Sequence, residues 1–178
     1  MGLGVTNGGS VWRGTRFQTV ALVVLQILIG WHFLYEGLAK LINPYWTSAA
    51  YLGESQWWFS GLFMKIAASP NATSVVDFLN IWGLILIGAG LIVGLLTRVA
   101  TVSGIVLLLL YYVAAPPFLG YHYSVPAEGS YLVVNKVLIE LIALVVLLAF
   151  APQRWYGLDR LLFGRRSATA GHESTPRM

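Results

Sequence analysis

The sequence contains no cysteine. Without a thiol, the chain cannot form a disulfide, exchange disulfides with a partner, or hold a metal or an iron–sulfur cluster through thiolate ligands. This absence excludes the membrane disulfide oxidoreductases, whose chemistry takes place at cysteine pairs. A Gly-rich phosphate-binding loop ahead of a helix is also missing, so the sequence does not predict nucleotide binding.

Charged residues are scarce, at 10% of the chain, whereas a soluble domain has about 25%. Hydrophobic residues make up 57%, and they form four runs near the length of about 20 residues that crosses a bilayer. We predict spans at Phe17–Ala39, Val75–Leu96, Val99–Phe118 and Tyr131–Phe150. None of these runs shows the sustained alternation of a membrane β-strand. The sequence therefore predicts an all-α integral membrane protein, an antiparallel bundle of four transmembrane helices.

The cationic residues are distributed unevenly along the chain. All 8 arginines lie at the N-terminus, between the second and third spans, or after the last span, whereas the 3 lysines lie in or beside the other two connections. The positive-inside rule then places both termini in the cytoplasm of a multi-pass plasma-membrane protein. The first span is too long for a signal-peptide core and is expected to remain in the protein. No folded basic domain is present, so no nucleic-acid partner is expected.

The segments outside the spans define the predicted organisation. Residues 1–16 are Gly-rich and polar, which predicts a flexible cytoplasmic N-terminus, and residues 164–178 are predicted to be a disordered cytoplasmic tail. The membrane domain covers residues 17–163. In its first outer loop, the amphipathic segment Gln56–Ala67 predicts an interfacial helix at the headgroup level, with a lid or docking surface as the alternative.

Glycines recur with a spacing of seven residues in the first two spans. Gly30 and Gly37 share this spacing with Gly83 and Gly90, and the second span also carries Gly88 and Gly94. Small residues let the backbones of two membrane helices approach closely. We therefore expect the first and second spans to pack tightly through these glycines.

Ionisable residues lie inside two of the apolar runs, where a central charge costs about 2.5–3.5 kcal/mol on insertion scales. The first span carries His32, Glu36 and Lys40 on one face, at i, i+4 and i+8. The last span carries Lys136 and Glu140 and runs in the opposite direction. At 1.5 Å per residue, His32 is level with Glu140, and Glu36 is level with Asn135 and Lys136. If these helices are neighbours, the polar groups meet in the outer leaflet.

Two interpretations of this cluster remain open. Opposite charges such as Glu36–Lys40 can neutralise each other and only fix which helices pack together. Alternatively the cluster is a ligand or proton site, the default for intramembrane ionisable residues. In that case the candidate proton-handling (catalytic) groups are Glu140, Glu36 and His32, and the candidate cofactor-binding groups are Lys136, Asn135, Lys40, Tyr35 and Tyr111.

Haem and metal sites are not predicted. His32 is the only histidine in a predicted span, so two axial histidines for a haem within this chain are missing. One histidine and two acids on two helices do not match a recognisable metal-ligand spacing.

Three runs resemble the DoxX/DoxD family of small four-helix membrane proteins: ILIGWHFLYEGLAKLINP, GLILIGAGLIVGLLTRVA, and NKVLIELIALVVLL followed by GLDRLL. In this family, archaeal members are subunits of a thiosulfate:quinone oxidoreductase, and others are membrane partners of soluble redox enzymes. The long aromatic outer loop is more similar to the DoxD-like branch. The resemblance implies a four-helix bundle, a quinone as cofactor, and a soluble or membrane redox partner.

Two functions follow as hypotheses. The first is a membrane subunit of a quinone-linked oxidoreductase complex, with a quinone and proton site between the first and fourth helices. Such a subunit would not be catalytic alone, because the chain has no redox-cofactor motif to supply electrons. The second is a non-catalytic anchor or assembly protein whose ion pairs are structural. Either protein would contact membrane lipid, and a homo-oligomer is compatible with both.

Overall fold

The structure, a computed structural model, describes residues 15–118, 120 and 132–150. These residues form six helices and, within the described ranges, no strand. The helices are α1 (Arg16–Ile42), α2 (Ala49–Gly53), α3 (Ser60–Ala67), α4 (Pro70–Val93), α5 (Thr97–Ala114) and α6 (Lys136–Phe150). The predicted all-α class is confirmed. The predicted terminal segments lie outside the described residues, apart from Thr15 and Arg16.

Three helices, α1, α4 and α5, are long and apolar enough to cross a membrane. Their 27, 24 and 18 residues correspond to roughly 40, 36 and 27 Å at the helical rise. The 15 residues of α6 correspond to roughly 22 Å, shorter than the hydrocarbon core of about 30 Å. Helix α6 begins at Lys136, five residues after the predicted start of the fourth span at Tyr131, and residues 132–135 before it are not helical. The fourth span and the orientation of the termini stay predictions.

Local sequence signals account for the helix ends. Thr15 and Gln18 form a capping box at the start of α1, where each side chain accepts a hydrogen bond from the other residue's backbone N–H. At the other end, α1 stops at Ile42, three residues beyond the predicted Ala39 and just before Asn43 and Pro44, because the proline ring and its missing N–H end a helix.

The limits of α4 differ from the predicted second span. The helix starts at Pro70, five residues before the predicted Val75, because proline is well suited to the first helical position even when polar residues follow it. It ends before Gly94, whose φ of 69° is the left-handed conformation of a glycine C-cap.

Helices α1 and α4 pack closely, which confirms the prediction for the first two spans. A Cβ atom added to Gly88 would contact backbone atoms of Leu34 and Gly30, and one added to Gly37 would lie 2.7 Å from a side-chain carbon of Ile85. The buried Gln26 of α1 also donates a hydrogen bond through Nε2 to the Leu91 carbonyl, over 2.7 Å. That carbonyl is among the last four of α4, which have no partner within the helix.

Of the α4 glycines, Gly88 makes this contact, and the two with the seven-residue spacing do not. An added Cβ at Gly83 would meet nothing within 4 Å, and one at Gly90 would lie 3.2 Å from Ala100 of α5. Gly88 lies on the α1 side of the helix, and Gly83 is five residues away, or about 140° around the axis. A seven-residue spacing therefore identified the close contact but not the glycine that makes it.

One apolar core joins the four longer helices. Its buried members come from α1, α4, α5 and α6, and they are Ile29, Phe33, Leu84, Ile87, Leu91, Ala100, Leu108, Leu141, Leu144 and Leu147. Gly104 of α5 lets α6 approach, because Leu144 would lie only 2.9 Å from an added Cβ. The large side chains that remain exposed cover the outside of the bundle, as expected of a surface that faces lipid.

The connection between α1 and α4 contains two short helices. Sequence predicted one helix over Gln56–Ala67, whereas α3 begins only at Ser60, and α2 precedes it. None of the residues of α3 is buried, and its position at the headgroup level stays a prediction. Asp77 of α4 accepts hydrogen bonds from the backbone N–H and the hydroxyl of Ser48, which holds this connection against the bundle.

Candidate functional site

A pocket of about 180 Å³ lies among α1, α4, α5 and α6. Six of its lining side chains are polar, and they are His32, Glu36, Lys40, Tyr111, Lys136 and Glu140. The others are apolar core residues, and they are Phe33, Leu84, Leu108 and Val137. Polar groups from three helices therefore converge on one cavity with an apolar wall.

One charged contact crosses from α1 to α6. His32 Nε2 lies 3.7 Å from Glu140 Oε2, and the two side chains are 36% and 12% exposed. This is the pairing expected from the helical rise. The distance exceeds the 2.7–3.2 Å range of an N–H···O hydrogen bond. The two groups are therefore near neighbours in the pocket without a direct hydrogen bond between these atoms.

A second charged pair lies within α1, nearer its C-terminal end. Lys40 Nζ is 3.5 Å from Glu36 Oε2, an i, i+4 pair on one helix face. The same ammonium lies 5.2 Å from the centre of the Trp46 ring and 5.6 Å from that of Tyr111, within reach of cation–π attraction. Aromatic side chains from the α1–α4 connection and from α5 therefore hold Lys40 beside the pocket.

Tyr111 is held at the pocket by contacts with two other helices. Its hydroxyl oxygen accepts a hydrogen bond from Asn80 Nδ2 of α4. Its backbone carbonyl accepts one from the Tyr51 hydroxyl of α2, over 2.8 Å. The rings of Tyr51 and Tyr111 also meet edge to face, with centroids 6.1 Å apart. Elements on two sides therefore fix this ring at the pocket.

Two residues predicted from sequence lie outside the pocket lining. Tyr35 is 61% exposed, because it lies off the face of α1 that carries His32 and Glu36. Asn135 instead caps α6, where its Oδ1 accepts a hydrogen bond from the Leu138 backbone N–H over 2.9 Å. The geometry gives neither residue a direct role at this site.

Two polar residues that bear on the site were missed in the sequence. Asn80 holds Tyr111, and Asp77 anchors the connection that carries Tyr51 and Trp46. Both lie within the apolar run predicted as the second span, so an amide and an acid inside that run were the available signal.

The pocket is suited to one small ring. An engineered apolar cavity of about 150 Å³ binds benzene, so the present volume accommodates a ring of similar size. The lysines, the histidine and the tyrosine offer hydrogen-bond donors, and the two glutamates can hold or release protons. Among the described residues, no three His, Asp or Glu side chains come together as a metal site would require. The residues present therefore fit an organic ring with acceptor oxygens.

The fold and the pocket define a class: a multi-pass helical membrane protein with ionisable groups gathered between its helices. The family model DoxX matches residues 21–117, which are 97 of the 178 residues. The chain belongs to the DoxX family. No match was found among curated proteins or among solved structures. The matched segment contains His32, Glu36, Lys40, Asn80 and Tyr111, whereas α6 lies beyond it.

Proposed function

We propose that this chain is the membrane subunit of a quinone-linked oxidoreductase complex and that its pocket binds the quinone ring. The observation that carries the proposal is the pocket itself, a ring-sized cavity in which apolar residues and protonatable side chains face each other. The apolar outer surface of the bundle suits an isoprenoid tail. Electrons would come from a soluble or membrane redox partner, and thiosulfate is the donor that the family resemblance suggests.

The side chains of the pocket have distinct roles in this proposal. Reduction of a quinone to a quinol consumes two electrons and two protons. Lys136 and Tyr111 would donate hydrogen bonds to the ring carbonyls, and Glu36 and Glu140 would take up protons and pass them to the reduced ring oxygens. His32, beside Glu140, is placed to return a proton to that carboxylate. The quinone would supply the redox chemistry, and this chain would supply binding, orientation and protons.

The alternative function, a non-catalytic membrane anchor, is supported by the contacts between ionisable side chains. The His32–Glu140 contact joins two helices, and the Glu36–Lys40 pair neutralises two charges within one helix. Both contacts suit a non-catalytic anchor whose ion pairs organise the bundle. In that case the pocket would have no ligand, and quinone binding distinguishes the two functions.

The decisive experiment measures quinone binding by the purified protein in nanodiscs. A short-tailed quinone is titrated while tryptophan fluorescence is recorded. We expect Lys136→Met to raise the Kd roughly 10-fold, since a hydrogen bond from its ammonium to a ring carbonyl contributes about 1.5–3 kcal/mol. His32→Ala should raise it as well. Lys65→Met, the same change in α3 and away from the pocket lining, should leave the Kd unchanged.

Two results would overturn this proposal. One is that the wild-type protein binds no quinone. The other is that Lys136→Met and His32→Ala both bind it with the wild-type Kd.

A further inference from the structure

Asn80 is a buried amide whose presence packing does not explain. It lies on α4 and is only 8% exposed, but it is not among the residues that line the pocket. Its Nδ2 donates to the Tyr111 hydroxyl, whereas its Oδ1 is buried with no hydrogen-bond partner among the described residues. An unsatisfied buried polar atom costs about 1–3 kcal/mol. The side-chain hydrogen bond that Asn80 makes goes to the Tyr111 hydroxyl.

The hydrogen bond from Asn80 determines what the Tyr111 hydroxyl can do in the pocket. A tyrosine hydroxyl has one proton to donate and can also accept. Because Asn80 Nδ2 donates to the oxygen, the proton of Tyr111 is directed away from Asn80. Meanwhile Tyr51 holds the backbone carbonyl of Tyr111, and Lys40 lies over the ring. Contacts from α1, α2 and α4 therefore hold the tyrosine at the pocket, and its hydroxyl proton is not used in the bond to Asn80.

From this geometry we infer that Asn80 is a positioning residue that makes Tyr111 a hydrogen-bond donor to a ring carbonyl, so that the pocket selects carbonyl-bearing rings over hydrocarbon rings of the same shape. The inference rests on the proposed quinone site and names what that site recognises. A site built to donate a hydrogen bond rejects a ligand without the acceptor, because the buried donor is then left unpaired.

The test compares two probes of matched shape in nanodiscs. Duroquinone carries two ring carbonyls, and durene has the same ring and methyl groups without them. We expect the wild-type protein to prefer duroquinone. Tyr111→Phe and Asn80→Leu should each reduce the ratio of the two affinities roughly 10-fold, the effect of one hydrogen bond of about 1.4 kcal/mol. The double variant should have the same affinity ratio as Tyr111→Phe alone, because Asn80 acts only through the hydrogen bond from Tyr111 to the ligand.

Controls separate positioning from loss of structure. Durene affinity should stay unchanged in every variant, whereas a collapsed pocket would lower it. Asn80→Asp keeps the side-chain volume but replaces the donor with an acceptor that takes the Tyr111 proton, so it should reduce the ratio at least as much as Asn80→Leu does. Asn71→Leu and Asn71→Asp make the same changes at an exposed residue of α4 and should leave the ratio unchanged.

The possible failures have different meanings. If the wild-type protein binds no duroquinone, both the quinone site and this inference are overturned. If duroquinone binds and Tyr111→Phe reduces the ratio while both Asn80 variants keep it, only the role of Asn80 is overturned. The same conclusion follows if the Asn80 variants lose durene as well, because the residue would then be structural.

Discussion

At the scale of single residues, the polar groups of the pocket are arranged by helical rise and by contacts across helices. Sequence spacing was enough to predict that His32 and Glu140 lie at one level, because each residue advances 1.5 Å along a helix. The structure places these side chains 3.7 Å apart. It could not be predicted that Tyr111 would meet Asn80, since that contact depends on how α4 and α5 are rotated towards each other.

We expect the His32–Glu140 contact to contribute little to stability. The separation of 3.7 Å is long, and one partner is more than one-third exposed. Polar contacts between membrane helices measured by double-mutant cycles average about 0.6 kcal/mol. Unfolding of the wild type, His32→Ala, Glu140→Ala and the double variant should therefore give a coupling energy below about 1 kcal/mol. A coupling above about 2 kcal/mol would contradict this and would favour the anchor function, because a structural ion pair must stabilise the bundle.

At the scale of elements, the ends of the helices are predictable from local chemistry, but their contacting faces are less so. A helix starts at the capping box of Thr15 and Gln18, which satisfies free backbone N–H groups. Helices stop before Asn43–Pro44 and before the prolines that follow Ala114, because proline lacks a backbone N–H. These signals act within a few residues, so the sequence alone reveals them. Which of several glycines lies against a neighbour depends on the rotation of the whole helix.

Substitution of Gly88 tests the packing of α1 against α4. The Cβ of Gly88→Ala would contact backbone atoms of Leu34 and Gly30, which cannot rotate away as a side chain can. We expect a loss of about 1–3 kcal/mol in unfolding free energy, the usual range for an overpacked contact. A denaturant titration of the protein in a mild detergent, monitored by circular dichroism, measures this loss of unfolding free energy.

Gly83 provides the matched control on the same helix. An added Cβ there meets nothing within 4 Å, and alanine is the better helix former by about 0.5–1 kcal/mol. Gly83→Ala should therefore be neutral or stabilising. Equal destabilisation by the two substitutions would show that α1 and α4 do not pack through Gly88.

At the scale of the whole molecule, the open question is how the bundle is oriented in the membrane. The connection over residues 43–69 and the turn between α4 and α5 lie at opposite ends of α4. The arginine distribution predicts that the turn is cytoplasmic and the connection is outside. If α4 spans the bilayer, the two segments must lie on opposite sides of it.

The absence of native cysteine makes this topology straightforward to test. Gly61→Cys places a thiol in the connection, and Leu95→Cys places one in the turn, both at exposed positions and without changing a charge. A membrane-impermeant maleimide applied to intact cells should label Gly61→Cys at once and Leu95→Cys only after permeabilisation. The cysteine-free wild type is the background control. The reverse labelling pattern would invert the predicted orientation.

The sequence by itself determined the helical class, the approximate spans and the two polar faces, because hydropathy, capping and helical period are properties of neighbouring residues. Only the tertiary structure decided which groups share the pocket. It excluded Tyr35 and Asn135 from the lining, and it showed that Asn80 holds Tyr111. The physical reason is that helix rotation is set by packing across the whole bundle, and the spacing along one helix does not contain that information.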